Sequence, residues 1–483
     1  MKQALAFMSL AEQARLIRGR EISPVDLVNT CLDRIAWWDP LLRSYITICA
    51  DEALAQAKKA EREIASGRYI GPLHGIPYGV KDQICTRGIK TTLGSRILSE
   101  YVPDSDATVI ERLRAAGAIL LGKHNLHEFG KGSTKIFPFG QPRNPWNLNH
   151  SPSSSSSGSG VAVASGLCSA ALGEDTGGSI RGPAEANGIV GLRPTFGRVS
   201  RFGGVMYGWN CDTIGPLTRT VKDCALILGA IAGEDERDVL TSSRPVPDYT
   251  RNLSGDLRGI RVGVVVELTY VEETHEEVMS ALQSALRLLE SIGALVENVA
   301  LPLARYATPF QMLTTDVDVA SVFLHKWLRT RWADFDIGTR TRLAASCLIP
   351  AVTYQRAMRG RALVRREILD ALQKYDVLIS PTNHNPPPRI DDPREQVGDG
   401  ANTYRREIFR RVTNYPFSVA NTPTIAVPMG FSSGGLPLSM QIAGRPFEEE
   451  LVLRVADAYE RNTTWHRQHP DVAHTVKQFQ VQA

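Results

Sequence analysis

Three short stretches of the chain gather hydroxyl, amine and unhindered backbone N–H groups. HSPSSSSSGSGVAVASG (150–166) holds five consecutive serines, Ser153 to Ser157. EDTGGSIRGPAE (174–185) sets a glycine pair, Gly177 and Gly178, directly before Ser179. GPLHGIPYGVKD (71–82) reads as a short apolar strand that ends on charge at Lys81 and Asp82. A serine tract in mid-chain has two readings. It is a flexible linker, because Ser/Gly stretches bury too little apolar surface to fold, or it is a loop that collects hydroxyls and N–H groups for chemistry. The glycine pair points to chemistry nearby, since backbone angles that other residues avoid let successive N–H groups converge on one point, as an oxyanion hole requires.

Other chemistries fit less well. GAILLGKH (117–124) matches G-x-x-x-x-G-K, but His124 stands where a magnesium-binding Ser or Thr belongs, and the four middle residues read as the strand itself. HNLHEF (124–129) has the order H-x-x-H-E rather than H-E-x-x-H, so surface or capping roles are expected for its histidines. Ser179 has Gly177 two places before it but Arg181 two places after, so it does not sit in the G-x-S-x-G of an α/β-hydrolase nucleophile elbow. The net charge of +4 over 483 residues is too small for a nucleic-acid footprint. Two basic stretches, RAMRGRALVRRE (356–367) and TYRREIFRR (403–411), carry apolar residues at near-helical spacing and read as solvated helix faces. Seven widely spaced cysteines with no CxxC imply reduced thiols in the cytoplasm. No apolar run approaches the roughly 18 residues of a membrane span, and the start of the chain lacks a signal-peptide pattern.

The elements that must position these groups alternate. Ser9-x-x-Glu12 and Ser23-Pro-x-Asp26 open two helices, and DEALAQAKKAEREIASG forms a third that closes at Gly67. Strand and helix then succeed one another, as in TVIERLRAAG before AILLG and RVGVVVE before THEEVMSALQSALRLLESIGA. The pattern runs on to TPTIAVPMG and LPLSMQIAG. Such alternation predicts an α/β fold, one large domain with a central mixed, mostly parallel sheet covered by helices on both faces. SSRPVPDYTRNLSGDLRG (242–259) looks most like a linker, but strand-forming sequence flanks it, so it reads as a surface crossing within one domain. Residues 384–402 read as another exposed loop. The serine tract separates no folded units either: a small-residue helix, GVAVASG, follows it at once.

As a block, GIPYGVKD (75–82), SSSSSGS (153–159) and DTGGSIR (175–181) resemble the amidase signature family, and GLRPTFGRVSR, DTIGPLTRTVKD, NTPTIAVPMG and LPLSMQIAGRPFEEE extend the likeness over about residues 20–465. The resemblance implies 1–70 as N-terminal helices, 71–235 as the signature core and 236–483 as the remainder of the same domain, with variable pocket loops. It implies Lys81 as the base, Ser179 as the nucleophile and Ser155, preceded by a cis peptide, as the serine between them. Three glycines of the family's usual GGSSGG are serine here (Ser153, Ser154, Ser157), so a register shift of one would move the bridging role to Ser154 or Ser156. On this reading the backbone N–H groups of Thr176, Gly177, Gly178 and Ser179 bind the oxyanion. Ser156, Asp175 and Arg181 support the loop, with Asp175 and Arg181 paired.

The chemistry is coherent in its own terms. Serine is a weak nucleophile and needs a base within hydrogen-bond reach. A neutral lysine can serve through an intervening hydroxyl, but a free lysine titrates near about 10.4, so the neutral form costs about 3–4 kcal/mol near pH 7–8, which burial supplies. The expected activity is hydrolysis of a C–N bond through an acyl-enzyme, without metal or organic cofactor, on a small-molecule substrate, by a cytoplasmic monomer or homodimer that binds neither nucleic acid nor membrane. Phe137 and Phe139 in GSTKIFPFG, and Tyr207 and Trp209 in VMYGWNC, suggest a pocket for aryl amides, anilides or carbamates. The alternative is the glutamine-hydrolysing component of a tRNA-dependent amidotransferase complex. Arg361 falls about where that component's glutamine-binding arginine lies, while MLTTDVDVASVFLHKWLRTRW, within 310–340, departs from its counterpart.

Overall fold

A computed structural model describes residues 2–132, 136–206, 208–392 and 412–482. Its strands are β1 Tyr45–Ile48, β2 Pro77–Lys81, β3 Ile119–His124, β4 Ala170–Asp175, β5 Val190–Arg193, β6 Thr213–Thr218, β7 Arg261–Val265, β8 Leu295–Val299, β9 Val377–Pro381, β10 Thr424–Phe431 and β11 Pro437–Gly444. They form one eleven-stranded sheet in the order β1-β3-β2-β4-β6-β5-β10-β11-β9-β7-β8. Every residue of β2, β3, β4, β6, β9 and β11 is buried, as a sheet covered on both faces demands, whereas the edge strand β8 is half in solvent. Because β6 and β7 belong to the same sheet, residues 242–259 cross a surface and divide nothing.

One expectation about the sheet is corrected. It is mixed, but antiparallel pairing prevails: β1/β3, β10/β11, β10/β5, β11/β9, β4/β6 and β5/β6 run antiparallel, and only β2/β3, β2/β4, β7/β8 and β7/β9 run parallel. The α/β rhythm tells that helices intervene, not that successive strands are neighbours. The β10–β11 hairpin, closed by Ser432 N–H donating to Leu436 O at 2.8 Å, is inserted between β5 and β9 and runs against both.

The N-terminal helices start where their caps indicate. Ser9 accepts from Glu12 N, and Ser23 with Asp26 forms a reciprocal capping box. Gly67, just past the helix Ala50–Ala65, adopts φ +92°. What matters most for function is the parallel pairing of β2 with β4, in which Val80 faces Leu172. It delivers Lys81 and the pair Glu174–Asp175 to the carboxyl end of the sheet side by side. Crevices outside strand carboxyl ends are where open α/β sheets bind ligands.

Candidate active site

Lys81 ends β2 and is fully buried. Its ammonium nitrogen Nζ donates to Ser155 Oγ at 2.7 Å, to Glu174 Oε2 at 3.0 Å and to Glu174 O at 3.3 Å. Three acceptors thus surround the three hydrogens of one amine. The Lys81–Ser155 contact joins the base and the bridging serine expected from the sequence, and the Ser154–Ser155 peptide is cis. Glu174 was not expected. Burial pushes its carboxyl above the ordinary carboxylate range, against the pull of Lys81, and the nearby Asp212 adds to the rise. Its other oxygen, Oε1, accepts from Thr176 Oγ1 at 2.8 Å. The sequence signal was faint, an acidic residue one place before the signature, and only the β2/β4 register shows that it meets Lys81.

The serine tract is a fixed loop, not a tether. Ser156 Oγ accepts from Glu174 N and donates to Glu174 O, each at 3.3 Å, which clips the loop to the end of β4. Ser156 N–H donates to Ser179 O at 3.2 Å, so the tract and the Ser179 turn lie against each other. Ser157 begins the helix Ser157–Ala164, whose small side chains are all buried.

Ser179 lies between β4 and the helix Arg181–Asn187. The turn is organised by Asp175, whose carboxylate accepts from Gly178 N (2.8 Å), Ile180 N (3.2 Å), Arg181 Nε (3.1 Å) and Arg181 Nη2 (3.1 Å), with Arg193 Nη1 at 3.4 Å. Burial alone would favour the neutral acid, but the guanidiniums of Arg181 and Arg193 override it and hold the carboxyl well below the usual range. The expected Asp175–Arg181 pair is therefore present, and Arg193 joins it. Gly178 takes φ +104°, and a Cβ on Gly177 would stand 2.1 Å from the Tyr415 ring, so both positions require glycine. One expectation fails here. The Gly178 N–H is engaged by Asp175 and is not free for an oxyanion, because the same carboxylate that shapes the turn consumes it. Thr176, Gly177 and Ser179 keep backbone N–H groups with no acceptor among the described residues.

The sequence singled out four aromatic residues for a pocket, Phe137, Phe139, Tyr207 and Trp209. Of these, Trp209 is 67% exposed and Phe137 and Phe139 are half-buried, so the three described rings enclose no aryl pocket, and Tyr207 lies outside the described residues. The two histidines of HNLHEF are buried, not on the surface: His124 Nδ1 lies 3.2 Å from Ser159 Oγ, and His127 Nδ1 lies 2.9 Å from Gly132 O. Among the described residues no three His, Cys, Asp or Glu side chains are grouped to hold a metal. Lys123, of the GAILLGKH stretch, is buried within β3 and tied to Asp82, Ile84 O and Thr91. The 356–367 stretch lies in the helix Ala351–Lys374, but Arg361 departs from a solvated face. It is buried, and its Nη1 donates to Asn210 Oδ1 at 2.7 Å. The 403–411 stretch, and 393–402 of the loop, lie outside the described residues.

Arg361, Asp318 and Asp212 lie near enough for Arg361 and Asp212 both to act on the charge of Asp318. Asp318 accepts from Tyr354 Oη at 3.0 Å, and burial raises its carboxyl while Arg361 lowers it and Asp212 raises it further. Asp212 immediately precedes Thr213, which pairs with Asp175 across the β4/β6 ladder. All seven cysteines are free thiols, six of them buried. No helix among the described residues is long and apolar enough to cross a membrane.

The Amidase family matches residues 26–453. A curated relative from Roseiflexus sp. (strain RS-1), the A component of glutamyl-tRNA(Gln) amidotransferase, is 42% identical over 480 residues, covering 95% of this chain and 96% of that one. The solved structure of the protein of the same name from Thermotoga maritima superposes with TM-score 0.80 at 32% identity, covering 95% of each chain. A bacterial aryl acylamidase of the amidase signature enzymes superposes with TM-score 0.86 at 27% identity, covering 95% of this chain and 97% of that one. With the signature stretches brought to one end of a shared sheet and these likenesses running the length of the chain, the protein belongs to the amidase signature family of C–N hydrolases.

Proposed function

We propose that Ser179 attacks a carboxamide carbonyl, that Ser155 relays its proton to Lys81, and that the chain thereby hydrolyses a small polar amide of the glutamine type and releases ammonia. The observation that carries the reading is the 2.7 Å Lys81–Ser155 bond beside a turn with unengaged N–H groups. The oxyanion forms against the N–H groups of Thr176, Gly177 and Ser179, where one such donor is worth about 10²–10³ in rate. The proton then returns from Lys81 through Ser155 to the departing nitrogen as the C–N bond breaks, and water repeats the sequence on the acyl-enzyme.

Two observations support glutamine over an aryl amide. Curated relatives at 42% and 39% identity, covering almost the whole chain, bear the name of an amidotransferase component. The neighbouring charged groups Arg361, Asp318 and Asp212 include both signs that an α-amino acid needs. The same relatives suggest a heteromeric partner that receives the ammonia in a tRNA-dependent complex, rather than a monomer or homodimer, and the free thiols fit a cytoplasmic setting. The second reading is a stand-alone amidase acting on aryl amides, anilides or carbamates, favoured by the likeness to the aryl acylamidase.

The test is a product screen on the purified chain with L-glutamine, short carboxamides and a nitroanilide, read by mass. Glutamate and ammonia should form from glutamine and disappear in Ser179→Ala, which should melt with the parent. Turnover of the anilide well above glutamine selects the second reading. Hydrolysis that survives in Ser179→Ala overturns the nucleophile.

A further inference from the structure

The base proposed for Ser155 is an amine 3.0 Å from a carboxylate as deeply buried as itself. A carboxylate so placed does one of two things. As a fixed counter-ion it keeps the lysine charged, which opposes its use as a base. As a proton acceptor it makes the amine available without any exchange with solvent.

Several features favour the acceptor. The Lys81–Glu174 pair is closed off from water, with side chains 0% and 5% exposed, and an ion pair in such a place recovers its desolvation only partly. Glu174 lacks a guanidinium clamp of the kind that fixes its neighbour Asp175 as an anion. Asp212 adds negative charge from the β6 side. The other groups around the pair do not compensate. On β3, His124 stands in register with Lys81, and its ring pKa is pushed down to about 3 by burial and by Lys123, so it is neutral. Lys123 itself is engaged by Asp82.

We propose that Lys81 and Glu174 work as one base, with Glu174 a positioning residue that takes a proton from the Lys81 ammonium. The inference rests on the roles proposed above for Ser179, Ser155 and Lys81. One ammonium proton passes across the 3.0 Å contact to Glu174 Oε2, which leaves a lone pair on Nζ. A third of a turn about Cε–Nζ aims that lone pair at Ser155 Oγ. The Ser155 proton moves to Nζ as Ser155 takes the proton of Ser179, and the Ser179 Oγ–carbonyl carbon bond forms. When the C–N bond breaks, the proton travels back through Ser155 to the leaving nitrogen, and Glu174 returns its own to Nζ. The pair begins and ends the half-reaction with the same single proton.

The experiment follows the rate at which a fluorophosphonate labels Ser179 across pH 5–10, which needs no knowledge of the substrate. In the parent protein the acid limb marks addition of a second proton to the pair. In Glu174→Gln the amine must instead lose its proton to solvent, so the limb moves up by about one pH unit or more, and labelling recovers to within about tenfold of the parent at the alkaline end. Thr176→Val removes only the hydroxyl bond to Oε1 and should move the limb upward by a smaller step, which provides a second arm if the Gln variant does not fold. A limb that stays or moves down in either folded variant means that Glu174 is a counter-ion, and the proposal falls. Labelling that persists in Ser179→Ala defeats the underlying assignment of the nucleophile instead, so the two failures are told apart.

Discussion

Asp175→Asn is the sharpest test of how the Ser179 turn is held. The substitution keeps shape and volume but removes one charge from a fully buried cluster containing Arg181 and Arg193. Both guanidiniums retain partners, among them Gln441, Ser418 and the Asn414 carbonyl for Arg181 and the Cys211 carbonyl for Arg193. Neither retains a neutralising charge at that point. Removing one partner of a buried pair costs about 3–5 kcal/mol. The unfolding entropy of a chain of 483 residues is about 1 kcal/mol/K, so the melting temperature should fall by about 3–5 °C. Acid should narrow the gap. The Asp175 carboxyl is held well below its ordinary value in the folded protein, so its contribution is complete above about pH 4 and is lost as pH falls toward the folded value. At pH 3 the parent should have lost about 1 kcal/mol of the difference. The assay is thermal unfolding by circular dichroism at pH 7 and pH 3, with fluorophosphonate labelling of Ser179 alongside. Melting within about 1 °C of the parent at pH 7, with unchanged labelling, would show that this carboxylate does not organise the turn.

Two further outcomes are expected. Gly177→Ala drives a methyl group into the Tyr415 ring and should cut labelling of Ser179 by at least about tenfold while lowering stability by about 1–3 kcal/mol, measured by urea unfolding; a fully active variant would show that the turn yields freely. Trp209→Ala, at a side chain mostly in solvent, should change kcat/KM for a nitroanilide by less than about twofold, since little apolar area is released; a large selective loss would restore the aryl pocket.

Local chemistry was legible in the sequence where it depends on neighbours along the chain. Gly177 and Gly178 announce a turn before Ser179, the Ser9 and Ser23 caps start their helices, and Asp175 and Arg181 pair across six residues. The likeness of the signature stretches singled out Lys81 and, among five similar serines, Ser155. What remained hidden depends on how distant segments meet. Strand direction is set by which strands become neighbours, so an alternating pattern read as mostly parallel gave a sheet in which antiparallel pairs prevail. Glu174 looks like any strand-end acid until the β2/β4 register puts it 3.0 Å from Lys81. The Gly178 N–H looks available until the Asp175 carboxylate folds back onto it, and Arg361 looks solvated until its helix packs it against Asn210. Residue type and spacing determined which groups this chain brings to the candidate site. Tertiary structure alone decided their charge and availability, because burial and the partner across a hydrogen bond set both.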